Sequence, residues 1–182
     1  MKKLMISIVT MFIANISFGQ VTAPEPEYVG QVVVVNADGT TTLLQKETAS
    51  IKTKSSKWGM IPVPGSGLLD KAKVKLTLKG KEAPVSVQSG TVTLIVKAAS
   101  NETDPRQVFG IMKLDVEKKA RTFPMGDYSL MGGSNTTLSY NNVQFTAEKY
   151  GNSSYIVIID NTEAGEYAVN TDFSQMSTFS VK

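Results

Sequence analysis

Residues 71–81 read KAKVKLTLKGK, and this stretch decides how the rest of the chain is read. Lys71, Lys73, Lys75, Lys79 and Lys81 alternate with Ala72, Val74, Leu76 and Leu78. A period of two marks a β-strand with one dry and one wet face, since successive side chains point to opposite sides. On that geometry the lysines fall about every 7 Å along one face. Such a row is either the solvated side of a strand, a guard against pairing at a sheet edge, or a cationic ribbon for an anionic surface.

Outward from this stretch the same period recurs. YVGQVVVVN (28–36) and TTTLLQKE (40–47) flank ADG, which predicts a hairpin turning at Asp38 and Gly39. In SYIVIID (154–160), Ile156 and Ile158 oppose Tyr155, Val157 and Ile159, so both faces are apolar and a central strand is expected. TVTLIVK (91–97) reads the same way, and Tyr155 and Tyr167 are expected in the core. About ten or eleven short strands separated by Gly, Asn, Asp and Pro, without a convincing helical period, imply two packed sheets or a closed barrel. The expected fold is all-β: one two-sheet antiparallel β-sandwich, Ig-like or jelly-roll-like, over residues 28–182.

The first residues have a different character. Lys2 and Lys3 precede the apolar run LMISIVTMFIANISF, and Ser17 and Gly19 are small residues before Gln20. This is the pattern of a secretory signal peptide over 1–19, and the run is short of the roughly 20 residues a membrane span needs. Residues 20–27 read as a flexible, proline-containing lead-in. The chain of 182 residues has 19 basic and 16 acidic side chains; without Lys2 and Lys3 the balance is 17 against 16. A net charge of +1 gives no general attraction to nucleic acid. The lysine row also lacks the interleaved aromatics and arginines that nucleic-acid faces use. The absence of cysteine fits a bacterial envelope or secreted protein of this size. The expected location is therefore exported: periplasmic, cell-surface or secreted.

Several chemistries are excluded by composition. With no His and no Cys, neither a Ser-His-Asp nor a Cys-His centre can be built, nor a zinc site on imidazole or thiolate. GSGLLDK (65–71) lacks the spacing of a phosphate-binding loop. Acids such as Asp104, Asp115, Glu117, Asp127 and Glu148 are available, but no sequence pattern pairs them for glycoside chemistry. DNTEAGE (160–166) gathers oxygen donors without calcium-loop spacing, and its plainer reading is an acidic hairpin turn. No catalytic residue, cofactor or metal is expected.

Binding remains. The candidate contacts are Trp58, Tyr128, Tyr140 and Tyr150, which lie near expected turns or strand ends where exposed rings could stack on sugars, together with Lys71, Lys73 and Lys75. Residues 46–81 hold nine lysines against Glu47 and Asp70, which keeps an anionic polysaccharide in view. The expected role is a non-catalytic envelope module that contacts another envelope protein; the alternative is a carbohydrate-binding module using the aromatics and the lysine face.

Three further stretches carry a resemblance: YVGQVVVVNADGTTTLLQKE, SNETDPRQVFGIMKLDVEKKAR and KYGNSSYIVIIDNTEAGEYAVN. With these the chain resembles a group of small secreted β-sandwich proteins of unknown function from Bacteroidetes-type bacteria. The resemblance implies an exported β fold and brings no catalytic residues. The residues also have their own physical reading. Asp104-Pro105 starts a turn, Gly165 permits a positive φ before EYAVN, and Lys118, Lys119 and Arg121 read as a charged strand end or edge.

Overall fold

The computed structural model describes residues 23–54, 71–129 and 143–182, with the side chains of 53–54, 71–73 and 127–129 outside that description. The chain is all-β with two sheets. Its strands are β1 (Val32–Val35), β2 (Thr41–Leu43), β3 (Lys46–Lys54), β4 (Lys71–Lys79), β5 (Ser86–Val87) and β6 (Gly90–Lys97). After a short helix α1 (Pro105–Val108) come β7 (Gly110–Glu117), β8 (Ala120–Ser129), β9 (Thr146–Tyr150), β10 (Ser154–Thr162), β11 (Gly165–Asn170) and β12 (Gln175–Val181).

The first sheet runs β2-β1-β6-β10-β9. The two strands expected to be central, β6 and β10, are interior to it. The β1–β2 hairpin turns at Gly39, whose φ is +82°, with Asp38 accepting bonds from the Thr40 N–H and Oγ–H. Helix α1 replaces the turn expected at Asp104-Pro105 by the same mechanism: Asp104 Oδ1 accepts from the Arg106 N–H at 2.9 Å, and Pro105 opens the turn.

The second sheet departs from an open sandwich layer. It runs β11-β7-β8-β4-β3-β12, and β12 then pairs with β11, closing six antiparallel strands into a barrel. The short β5 lies parallel to β12 beyond the end of β3. Closure follows from β12, which pairs through Gln175–Ser177 with β3 on one edge and through Ser177–Val181 with β11 on the other. An extra residue, Met125, bulges β8 where Val74 pairs with Gly126 and Lys75 with Pro124.

Two main cores result from this arrangement. Inside the barrel, Leu76, Leu78, Met112, Leu114, Phe123, Ala168 and Met176 form one buried cluster with Ala49 against it, so each of the six strands contributes. A six-stranded barrel is too narrow for anything but side chains. Between the barrel wall and the first sheet, a second cluster joins Val34, Leu94, Tyr155 and Val157 to Ile111, Tyr167, Val169 and Phe179. Tyr155 and Tyr167 are buried, as their strand patterns require. A third, smaller cluster lies on the outer face of the first sheet, where Ala23 packs with Val33 and Ile95.

Candidate functional site

Parity along β4 places Leu76 and Leu78 in the barrel, so Lys75, Thr77 and Lys79 occupy outward positions on the wall. The register with β3 adds what the sequence alone did not: Lys52 pairs with Lys75, and Lys54 with Lys73. Lysine therefore stands opposite lysine at two backbone registers, and the Lys52–Lys75 pair lies on the outer face. Directly opposed residues have Cβ atoms about 4.5–5.5 Å apart, and like charges there are destabilising. The Lys71 position pairs with Ser129 and the Lys73 position with Asp127 on the other flank.

Lys75 Nζ lies 2.6 Å from Glu117 Oε1, an exposed pair that Thr122 Oγ1 supports at 3.1 Å. Lys52 is exposed and carries no ion pair among the described residues. Glu47, one of the two acids within the lysine-rich segment, faces the other way. Its carboxylate is held in the barrel by Arg121 Nη2, at 2.7 and 2.8 Å, and accepts a hydrogen bond from Thr178 Oγ1.

That interior cluster corrects the expectation of Arg121 as a charged edge. Arg121 is fully buried, with Nη2 also donating to the Lys79 carbonyl at 2.9 Å and Nη1 lying 3.6 Å from Glu166 Oε2. Glu166 in turn accepts from Ser180 Oγ at 2.6 Å and from the Ala83 N–H at 2.8 Å. Arg121 shares its side of β8 with Phe123, Glu47 its side of β3 with Ala49, and Glu166 its side of β11 with Ala168. Two carboxylates and one guanidinium are thus packed at one end of an otherwise apolar lumen. Every group has a scaffold role: the cluster ties β3, β8, β11, β12 and the turn after β4.

The other expected contacts fare differently. Trp58 and Tyr140 lie outside the described residues, and Tyr128 is placed on β8, opposite Ala72, by its backbone alone. Tyr150 ends β9, and its hydroxyl accepts from the Ala23 N–H at 3.0 Å and donates to the Ala23 carbonyl. It thereby fixes the lead-in. Beside it, Glu25 accepts from Lys97 Nζ at 2.7 Å and from the Ser153 N–H at 3.3 Å. Partial burial alone would raise the Glu25 pKa; those bonds and the Lys97 charge outweigh it and hold the carboxyl below its ordinary value.

The donors of residues 160–166 separate: Glu166 enters the barrel, Glu163 reaches out to Lys113 at 2.7 Å, and Asp160 accepts from Thr91 Oγ1 at 3.3 Å. The Glu163 bond raises the Lys113 pKa and lowers that of Glu163. Asn101, which opens an N-x-S/T triplet, is buried with its amide donating to the Ser154 carbonyl at 3.2 Å. No group of three or more acids among the described residues is placed to hold a metal ion, and no helix there is long and apolar enough to cross a membrane.

Two larger cavities and a smaller one of about 200 Å³, lined by Arg106, Phe109, Gly110 and Val143 to Phe145, indent the described surface. One of the larger two, of about 470 Å³, lies where the β1–β2 hairpin faces β5, lined by valines and neutral side chains such as Asn36, Gln88 and Thr93. The other, of about 360 Å³, opens at the barrel end where β7 begins and β11 ends.

No protein-family model matches the chain, and comparison with curated proteins and with solved structures gives no match either.

Proposed function

We propose that the protein is a non-catalytic, exported envelope module that docks on an anionic polysaccharide through the outer wall of its barrel at β3 and β4. The observation that carries this reading is the pair of lysine-on-lysine rungs, Lys52 with Lys75 and Lys54 with Lys73. Edge protection does not account for them, because β4 has β3 on one side and β8 on the other in a closed ring. Like charges held opposite one another raise the free energy of the unbound wall, and a polyanion laid along it relieves that repulsion while releasing its own counterions. Glu47 supports the reading by turning inward, which leaves the wall more cationic than the sequence balance suggests.

The export component rests on the leader pattern of residues 1–19. We further read the packing of the five-stranded sheet on one wall of the barrel as a sandwich derivative, in which one layer has curled shut. A protein partner is favoured by a different feature. The outer edges of β2 and β9 are unpaired among the described residues, and Tyr28 and Val29 stand exposed side by side.

The test uses dextran sulfate and polygalacturonate, with neutral dextran as control. Binding by the mature chain should fall steeply between about 50 and 200 mM salt. Neutralising Lys52 and Lys73 together should flatten that dependence. A salt-independent interaction, or equal retention on neutral dextran, would exclude the lysine wall as the contact.

A further inference from the structure

The cavity at the barrel end combines an apolar floor with polar groups that the fold leaves unused. Phe109 and Met112 belong to the two main cores and form its base, while Phe173 at the rim is 45% exposed. Arg106, Asn170 and Thr171 also line it. The Arg106 guanidinium lies over the Phe145 ring at 5.8 Å, and its single hydrogen bond among the described residues is a long one, 3.5 Å to the Phe145 carbonyl. No carboxylate pairs with it there, and the side chains of Asn170 and Thr171 have no hydrogen bond among the described residues. Small-molecule sites combine an apolar lining with a few convergent polar groups in this way, in volumes of roughly 300–1,000 Å³.

We infer that this cavity binds a small monocarboxylate carrying an apolar or aromatic body, independently of the lysine wall. The planar fork of Arg106 matches a carboxylate. Asn170 and Thr171 supply further donors, and the rings of Phe109 and Phe173 with the Met112 thioether suit a hydrocarbon or aryl group. Asp172 sets the selectivity. It lines the same rim, and hydrogen bonds from the Ser174 N–H and Oγ–H, at 2.8 and 2.9 Å, lower its pKa and keep it ionised. A negative charge on the same rim adds repulsion for each further acid group a ligand carries, which the one Arg106 guanidinium does not offset.

The probe is 3-phenylpropionate, titrated into the full mature chain and followed by amide NMR, with 3-phenylpropionamide and phenylsuccinate as controls. The acid should shift the amides of Gly110, Thr171 and Phe173 saturably, with a dissociation constant of about a millimolar or below. The neutral amide and the diacid should each bind at least about tenfold more weakly. Arg106→Gln, at an exposed position, should weaken the acid by a similar factor and leave the rest of the spectrum in place. Phe173→Ala should weaken acid and amide alike. The inference is overturned by the absence of saturable shifts up to about 10 mM, by equal affinity for acid and amide, or by undiminished binding in Arg106→Gln.

Discussion

Replacing Arg121 by methionine removes the guanidinium from the barrel while keeping most of the side chain's volume. The native group is fully buried and holds Glu47 through both carboxylate oxygens, at 2.7 and 2.8 Å, together with the Lys79 carbonyl at 2.9 Å. Without it, two carboxylates share one end of the lumen with no cation between them. Breaking a buried ion pair by deleting one partner costs about 3–5 kcal/mol. The lower figure applies here, because the Glu47 side chain keeps 23% of its exposure and water can reach it. Glu166 also retains its bonds from Ser180 and Ala83. About 3 kcal/mol corresponds to a fall in Tm of about 6–12 °C for a domain of this size. Urea and thermal unfolding followed by far-UV circular dichroism give both numbers. The triple variant Arg121→Met, Glu47→Gln, Glu166→Gln, in which no charge remains buried, should recover at least half of the loss. An Arg121→Met chain within about 0.5 kcal/mol of the parent would show that the cluster does not hold the barrel end, an effect no larger than that of an ordinary surface substitution.

Other perturbations address the lead-in. Gly151 has φ +54°, and a Cβ there would lie 2.1 Å from Glu25 Oε1, so Gly151→Ala must both strain the backbone and expel that carboxylate. We expect a loss of about 1–2 kcal/mol and faster proteolysis near Ala23, and unchanged proteolysis would contradict the contact. The Glu25 pKa is depressed in the folded chain, so its contribution is present above the unfolded glutamate value of 4.5 and is lost as pH falls through the lower folded value. The Ser153 amide should report this by NMR with a midpoint below 4.5, and a midpoint above it would refute the sign. Tyr150→Phe deletes both hydroxyl bonds to Ala23, and a cost of about 0.5–1.5 kcal/mol is expected. If the variant instead loses sugar binding at full stability, the hydroxyl is a ligand contact and the tether is incidental.

The strands are readable because the pattern is local: β4 declares one dry side, and β6 and β10 two apolar faces, within eight or nine residues. Asp38-Gly39 and Asp104-Pro105 were readable because their bonds reach only one or two residues along the chain. Closure of the barrel was not. It depends on β12 meeting β3 and β11, and a backbone ladder between distant strands leaves no residue signature. The same limit hid half of the cationic wall, since only the register places Lys52 and Lys54 beside Lys75 and Lys73. Arg121 is obscured for a different reason. The neighbouring Lys118 and Lys119 suggest a wet strand end, although parity with Phe123 assigns position 121 to the dry side. Glu47 and Glu166 carried the same signal through Ala49 and Ala168, and together the three would have announced a buried charge cluster.

The lysine wall is tested most directly by Lys52→Glu, measured for stability and for retention on dextran sulfate in the same preparation. The substitution turns the repulsive rung with Lys75 into an attractive one. Stability should rise by about 0.2–1 kcal/mol, while affinity for the polyanion falls several-fold and its salt dependence flattens. A chain that gains stability and loses binding behaves as a wall whose charge serves a partner. Undiminished binding after the exchange would contradict the account.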